Sequence, residues 1–349
     1  MPQGRRTSWC GGLQLVKERG CIVKPCGMRG LWVRSHAPYP PKVQAPQALP
    51  ASKIRLAGLL RLRQGKRSTL FLTGNGPVWY NGVSYGAVSV FVRRSGIMVL
   101  YFSGTGNSQR AAMRIAQRLE DGLVSINQCL KEHKKGDLRS EGPWVFVAPT
   151  YAWRMPRAAE EWIRAAELRG SRDAYFVLTC GGSCAAAGAR AEKLCAEKGL
   201  RFMGLAPVVM PENYLAMFPT PDEEECRAIL ERAEPRFAAL AEEIRGRRPF
   251  PAPRLSLADR ACSGLVNPLF YRLFVHDKGF TASEGCVSCG KCAERCPLNN
   301  IELAGGRPVW KGACTHCMAC IAGCPAGTIE YKENSRGRRR YYIMRETQE

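Results

Sequence analysis

Eight cysteines near the C-terminal end carry the most specific chemistry in this 349-residue chain. They fall in two runs, Cys286-x2-Cys289-x2-Cys292-x3-Cys296-Pro297 and Cys314-x2-Cys317-x2-Cys320-x3-Cys324-Pro325. Each cysteine has its mate 28 residues later, and so do Ile301-Glu302 and Ile329-Glu330, so a whole unit is repeated. Three thiolates on one tight loop can hold three irons of a cubane, and in tandem runs the fourth ligand comes from the other run. The spacing therefore predicts two [4Fe–4S] clusters. One takes Cys286, Cys289, Cys292 and Cys324; the other takes Cys314, Cys317, Cys320 and Cys296. Pro297 and Pro325 turn the chain away after each crossing ligand. Two zinc sites are the competing reading, but zinc favours paired CxxC knuckles and gives no reason for a third cysteine at the next step. A disulfide framework suits small secreted scaffolds, not a chain with nine further cysteines scattered elsewhere. His316, between two ligands, reads as exposed or packed rather than as a ligand.

The second constellation is Ser103-Gly104-Thr105-Gly106-Asn107-Ser108. Two glycines let the backbone turn tightly and present N–H groups. The hydroxyls of Ser103, Thr105 and Ser108 and the amide of Asn107 add donors, and a helix beginning just after aims its positive end at the same spot. Such a loop suits a phosphate monoester. It is not a P-loop, because no Lys follows at the required place, and it is a poor dinucleotide fingerprint, because Gln109 stands where the third glycine belongs. A plain glycine-rich turn is the bland alternative.

Those residues need elements to hold them. Strands are predicted at residues 97–102, 123–126, 144–148, 175–179 and 202–209. Helices are predicted at 108–120, 157–168, 186–198 and 222–245, with Ala112, Ile115, Ala116 and Leu119 on one face of the first. Alternation of strands and helices implies an α/β, doubly wound, five-stranded parallel sheet with ligands beyond the carboxyl ends of its strands. Two later strand ends should flank the loop. Thr150-Tyr151-Ala152-Trp153 offers aromatic faces, with core or surface packing as the alternative role. Thr179-Cys180-Gly181-Gly182 permits close backbone approach to a planar ligand. Cys180 and Cys184 read as small packing residues rather than redox thiols.

Residues 97–108 resemble the start of flavodoxins, which hold the phosphate of FMN in such a loop. The resemblance implies sheet order 2-1-3-4-5 and a flavin ring between the two later strand ends. Met210-Pro211-Glu212-Asn213-Tyr214 is similar to a loop that recurs in flavodoxin-like proteins fused to ferredoxins, and is expected to cover a flavin edge. Residues 97–349 as a whole resemble the bacterial flavodoxin–ferredoxin fusions called ferrodoxins, chiefly from anaerobes. That implies an FMN domain at 97–246, a Pro-rich linker and connector at 247–281, a small α+β two-cluster ferredoxin domain at 282–334 and a basic tail at 335–349. The family implies electron transfer without a settled substrate.

The net charge of +22 is unevenly spread. Residues 1–96 hold 16 Lys+Arg against one acid, Glu18, whereas residues 97–349 hold 36 against 29. Three readings of the first segment compete: a nucleic-acid-binding arm, a transit peptide, and a mis-assigned gene start with the protein beginning at Met98. The last is favoured, because 97–102 reads as a first strand that needs nothing before it. Asn75-Gly76 and Asn81-Gly82 are candidate turns, with a short hairpin after Val78. Between Glu284 and Glu333 five basic and five acidic residues balance, after which Arg336, Arg338, Arg339 and Arg340 form either a solvated tail or edge strand, or a docking patch for an acidic redox partner. No run of 18 apolar residues occurs, so no membrane span is expected.

The leading expectation is an electron-transfer flavo-iron–sulfur protein that relays single electrons between two clusters and FMN. An FMN-dependent reductase of a small acceptor, fed by its own clusters, is the alternative; a redox sensor or nucleic-acid-binding protein ranks third. The four histidines form no evident triad, so no catalytic residues are assigned. Partners are expected to be a redox protein or small electron acceptor, with nucleic acid disfavoured. Exposed clusters and many free thiols imply a reducing compartment, the cytoplasm.

Overall fold

The computed structural model describes residues 96–343, together with the backbone of two short strands, Val78–Tyr80 and Val83–Tyr85. Those two strands pair antiparallel, with Tyr80 opposite Val83. The remaining expectations for residues 1–95 lie outside the described residues.

Apolar strands, the central ones buried on both faces, build the centre. β1 (Met98–Tyr101), β2 (Gly122–Ser125), β4 (Trp144–Pro149), β6 (Asp173–Cys180) and β7 (Arg201–Val209) form one sheet in the order β2-β1-β4-β6-β7, every neighbour parallel. Counted within the sheet, that is the flavodoxin-like doubly wound order. Val99, Val145, Val147, Tyr175 and Val177 face α1 (Asn107–Leu119) and α5 (Glu223–Arg245). Leu100, Phe146, Phe176 and Leu178 face α3 (Arg157–Ala165) and α4 (Ala187–Lys198) on the opposite side. Successive strand residues point to opposite faces, so burying both faces explains why these strands read as continuous apolar runs. Ala111, Ala112, Ile115 and Ala116 give α1 a narrow inner face that lets it lie close against the sheet and α5.

Three local features depart from the sequence expectation. A short helix α2 (Ile126–Lys131) follows β2, capped by the Ser125 hydroxyl, which accepts from the Gln128 amide at 3.2 Å. The helix expected to run to residue 168 stops at Ala165, and residues Glu167–Gly170 form β5, paired parallel with β3 (Asp137–Ser140) in a separate two-stranded sheet. Lys198 of α4 caps the end of α3, donating to the carbonyl of Arg164 at 3.0 Å and to that of Ala166. That tertiary partner ends a stretch whose own composition would continue the helix.

The third departure is the basic end of the chain. Residues 335–343 return to the α/β sheet instead of trailing into solvent. Tyr341 and Ile343 are buried in the core with α1 and α5. Arg338 donates to the Leu215 carbonyl at 2.9 Å and Arg339 to the Pro221 carbonyl at 3.0 Å. Arg340 pairs with Glu330 at 2.5 Å and Arg336 with Glu333 at 2.9 Å. Arg338, Arg339 and Arg340 are thus engaged within the chain and half-buried, whereas Arg336, paired with the exposed Glu333, stays at the surface. Residues 344–349 lie outside the described residues.

After Pro-rich residues 249–253, a nearly continuous helix runs through α6 (Leu257–Ala261), a π-helical turn (Cys262–Val266) and α7 (Asn267–Phe274). The cysteine repeats follow. β8 (Phe280–Ala282) pairs antiparallel with β11 (Ile329–Tyr331), and β9 (Ile301–Ala304) with β10 (Arg307–Trp310). The 28-residue repeat extends to the backbone. α8 (Lys291–Arg295) and α9 (Ala319–Ala322) start one repeat apart. Left-handed φ values recur at Ser288 and His316 (53° each), Gly290 and Met318 (71° and 60°), and Asn299 and Gly327 (50° and 64°). The described residues 96–343 belong to one compact unit.

Gly204 marks a bulge in β7, where pairing with β6 shifts by one residue. Its φ is +112°, and a Cβ there would lie 2.7 Å from the Phe250 Cβ. Phe250 is buried against Tyr175, with ring centroids 4.9 Å apart. Gly204→Ala should therefore cost about 2–3 kcal/mol through backbone strain and overpacking. Thermal unfolding checks it: a melting temperature several degrees lower is expected, and an unchanged one contradicts the packing described.

Candidate functional site

At the carboxyl ends of β1, β4 and β6 lies a cavity of about 340 Å³. The loop after β1 lines it with Ser103, Gly104, Thr105, Asn107 and Ser108; the loop after β4 with Thr150, Tyr151, Ala152 and Trp153; the loop after β6 with Thr179, Cys180, Gly181 and Gly182. Of the residues expected from the sequence around a phosphate and a flat ring, Gly106 alone is not in the wall. It caps α1 instead, with φ at 107°.

The first loop is held from several directions. Asn127 bonds Ser103 twice, its Oδ1 accepting from the Ser103 amide at 2.8 Å and its Nδ2 donating to the Ser103 carbonyl at 2.7 Å. The Ser103 hydroxyl accepts from the Gly106 amide at 3.2 Å, and Thr105 Oγ1 accepts from Asn213 Nδ2. Ser108 and Thr179 share a hydrogen bond of 2.7 Å. A hydroxyl that accepts an N–H keeps its own hydrogen to donate. Ser103 and Thr105 thus retain donors in the wall, and the Ser108–Thr179 pair retains one. The first-turn N–H groups of α1 have no carbonyl partner within the helix. This donor-rich, acceptor-poor cradle fits an anion such as a phosphate.

Asn107 does something else. Its Nδ2 donates to the Pro211 carbonyl at 2.9 Å, and its Oδ1 accepts from Tyr341 OH at 2.8 Å. Both ends of the amide are occupied, so Asn107 braces the loop where the sequence suggested a donor to the ligand. The Ile343 amide donates to the Thr105 carbonyl at 3.0 Å and completes the brace. The run Tyr341-Tyr342-Ile343-Met344 between Arg340 and Arg345 was the sequence signal for this strap.

Residues 211–214 form another wall. Glu212 Oε1 accepts from the amides of Asn213 and Tyr214, each at 2.8 Å, and its Oε2 occupies the space a Cβ on Gly181 would need, 2.3 Å away. Ala152 and Trp153 both have left-handed φ, 46° and 62°, and carry the Tyr151–Arg154 turn. The connector helix holds that turn: Asn267 Nδ2 donates to the Ala152 carbonyl at 2.7 Å, and Ser263 Oγ to the Trp153 carbonyl at 2.9 Å. Ser263 and Asn267 escaped sequence analysis because they belong to no motif. Cys180 is buried, and its hydrogen bond with Cys184, reinforced by burial, pushes its thiol well above the ordinary range. It stays a protonated wall residue.

A further wall comes from the second cysteine repeat, through Thr315, His316, Cys317 and Met318. A Cβ on Gly104 would lie 2.1 Å from the Cys317 carbonyl oxygen. The two loops are therefore in direct backbone contact. His316 is buried: Tyr214 OH lies 2.9 Å from its Nδ1, and its Nε2 lies 2.6 Å from the His276 carbonyl. The His276 amide also lies 3.3 Å from Nε2, but the carbonyl contact is much the shorter; a carbonyl only accepts, so Nε2 carries the hydrogen and Nδ1 accepts from Tyr214. Burial lowers the His316 pKa and keeps the ring neutral. Burial also pushes up the Tyr214 and Tyr151 hydroxyls.

The eight repeat cysteines surround two hollows. Cys286, Cys289, Cys292 and Cys324 line one; Cys296, Cys314, Cys317 and Cys320 line the other. The sets are those expected from the spacing, with one cysteine of each crossing between repeats. Among the described residues no three Cys, His, Asp or Glu side chains converge on a single-ion site, and all fourteen described cysteines are free of disulfides. The Asn300 amide donates to Cys296 Sγ at 3.3 Å and the His316 amide to Cys314 Sγ at 3.4 Å. Burial pushes the Cys314 thiol up to about 12, and those of Cys317 and Cys320 up as well. Four such sulfurs become thiolates together only against compensating positive charge. The donor set fits a metal–sulfur group.

No protein-family model matches the chain. It is 36% identical over 62 residues to one component of an ion-translocating oxidoreductase complex of Methanosarcina acetivorans, covering 16% of this chain and 24% of that protein. Over 50 residues it is 40% identical to YccM of Escherichia coli, named for electron transport, covering 14% of each. The chain thus spans a quarter or less of these relatives. Among solved structures it resembles a Lactobacillus acidophilus flavoprotein in complex with FMN (14% identity, 32% of this chain, 93% of that one, TM-score 0.25). It also resembles an archaeal flavodoxin (16% identity, 43% and 98%, TM-score 0.26). Scores this low carry no argument; strand order and register establish the fold.

Tyr341→Phe should leave Asn107 Oδ1 buried without its donor, a cost of about 1–3 kcal/mol. Hydrogen exchange checks it: faster exchange of the amides of residues 103–108 is expected, and exchange equal to wild type contradicts the brace.

Proposed function

We propose that residues 97–343 form an electron-transfer flavo-iron–sulfur protein, with FMN in the cavity and a [4Fe–4S] cluster in each cysteine hollow. One observation carries the reading: the phosphate-type loop and the second cysteine loop touch at Gly104 and Cys317 and wall the same cavity. FMN, when bound, supplies one- or two-electron chemistry, and each cluster a one-electron step.

The chain's own residues would divide the work. Ser103, Thr105 and the first turn of α1 would hold the phosphate. Tyr151 and Trp153 would offer faces to the ring, and Gly181 and Gly182 would let backbone approach it. The Cys296, Cys314, Cys317 and Cys320 set abuts the cavity through Cys317 and Met318. Cys286, Cys289, Cys292 and Cys324 would hold the second group, reachable by an external donor at the exposed Cys289. Amide-to-sulfur hydrogen bonds at Cys296 and Cys314 would raise the potential of the inner group. The relatives matched over these short segments, whose names concern ion-translocating oxidoreduction and electron transport, agree with this reading. The cavity lies near the lower end of the roughly 300–1,000 Å³ range of ligand pockets, so one flavin-sized group leaves little space for a second substrate. That favours a carrier over a reductase of a bulky acceptor.

The full chain, purified anaerobically, should contain about eight irons, matching sulfide and one FMN. Cys296→Ala and Cys317→Ala should each bring iron down to about four and leave the same remaining cluster, because both residues serve one group. Zinc in place of iron, no flavin, or different remaining clusters in the two variants would overturn the reading.

A further inference from the structure

The connector helix is apolar on the wrong side for a helix packed on a protein. Facing inward are Ser263, Asn267 and Tyr271, at successive four-residue steps; the first two hold the 151–153 turn and the third lies under the Arg157 guanidinium. Facing outward, two residues out of phase, are Leu257, Ala261, Leu265, Leu269 and Leu273. Two residues along a helix is about half a turn, so the leucines lie opposite the polar contacts. Their exposures are 86% for Leu257, 79% for Leu265, 56% for Leu269 and 53% for Leu273. Phe274 and Val266 are exposed beside them, and Val266 also lines the mouth of the cavity together with the exposed Met217 and Phe218. Scattered surface leucines need no explanation, but a contiguous apolar face rimmed by charge marks an interaction surface.

The rim is cationic. Arg254, Arg260, Arg272 and Lys278 are exposed along this helix and its ends. The one acid on the helix, Asp259, is spent on its own cap, accepting from the Ser256 amide at 2.9 Å and the Ser256 hydroxyl at 2.7 Å. Leucines on one face with arginines along the edges are the pattern of a helix lying in a membrane interface, its apolar side among acyl chains and its cations among anionic headgroups. No helix of the described residues is long and apolar enough to cross a membrane, so the helix would lie on the surface. The same rim would oppose an identical rim if a second copy sat there.

We propose that the 257–274 helix docks the protein on an anionic phospholipid surface, with the leucine face inserted and the cavity mouth beside the lipid. This inference goes beyond the electron-transfer reading and does not depend on it.

Flotation of the full chain tests it, with vesicles of phosphatidylcholine alone and of phosphatidylcholine mixed with phosphatidylglycerol. The chain should float with the mixed vesicles; the basic N-terminal residues are common to wild type and variants, so differences between them report the helix. Leu265→Ser/Leu269→Ser should weaken that binding by at least about tenfold, and Arg260→Gln/Arg272→Gln should weaken it on the anionic vesicles only. All four side chains are exposed, so the variants should match wild type in melting temperature. Three results would overturn the proposal: no flotation of the wild type, flotation unchanged by the leucine pair, or a wild-type dimer that the leucine pair splits.

Discussion

The contact between Gly104 and the Cys317 carbonyl fixes the arrangement of everything else at the site. A side chain at position 104 would occupy the space of that oxygen, and the second cysteine repeat could not close over the end of the sheet. With glycine there, the sheet and the cysteine repeats share one cavity. Both partners are held firmly. Asn127, Asn107 and residues 341–343 brace the first loop, while Tyr214 and the His276 carbonyl hold His316 beside Cys317. Such bracing removes the freedom that would let the cavity and the cysteine hollow drift apart.

The end of the chain matters more than its composition suggests. After the second repeat, the arginines of residues 336–340 bind carbonyls and carboxylates of this same chain. Tyr341 and Ile343 then enter the core of the α/β sheet. The chain thus crosses from sheet to repeats through the connector helix and returns through this strap. Two crossings constrain the shared cavity more than a single linker would, because relative rotation would have to break contacts at both.

Much of this was legible in the residues. The doubly wound parallel sheet followed from alternating apolar strands and amphipathic helices, and its strand order from the resemblance of residues 97–108 to flavodoxins. The two sets of cysteines around the hollows, Cys324 and Cys296 crossing included, followed from the spacing, because ligand geometry is local and periodic. What escaped has a common cause. The stop of α3 at Ala165 depends on Lys198, more than thirty residues away. The brace on Asn107 depends on Tyr341, 234 residues away. The meeting of Gly104 with Cys317 depends on how two separately folded motifs pack. None of these long-range choices leaves a period or a spacing in the chain, and nothing local distinguishes Asn107 the brace from Asn107 the ligand donor.

The central claim is that the proposed flavin site and the cysteine hollows are held close enough in one molecule to exchange electrons without diffusion. Rapid-mixing reduction of the reconstituted full chain measures it directly. Flavin absorbance is followed as electrons enter through the clusters, at several protein concentrations. The account predicts a first-order rate that does not change with protein concentration. A rate rising in proportion to concentration, as when the centres exchange electrons only by collision between molecules, would contradict it.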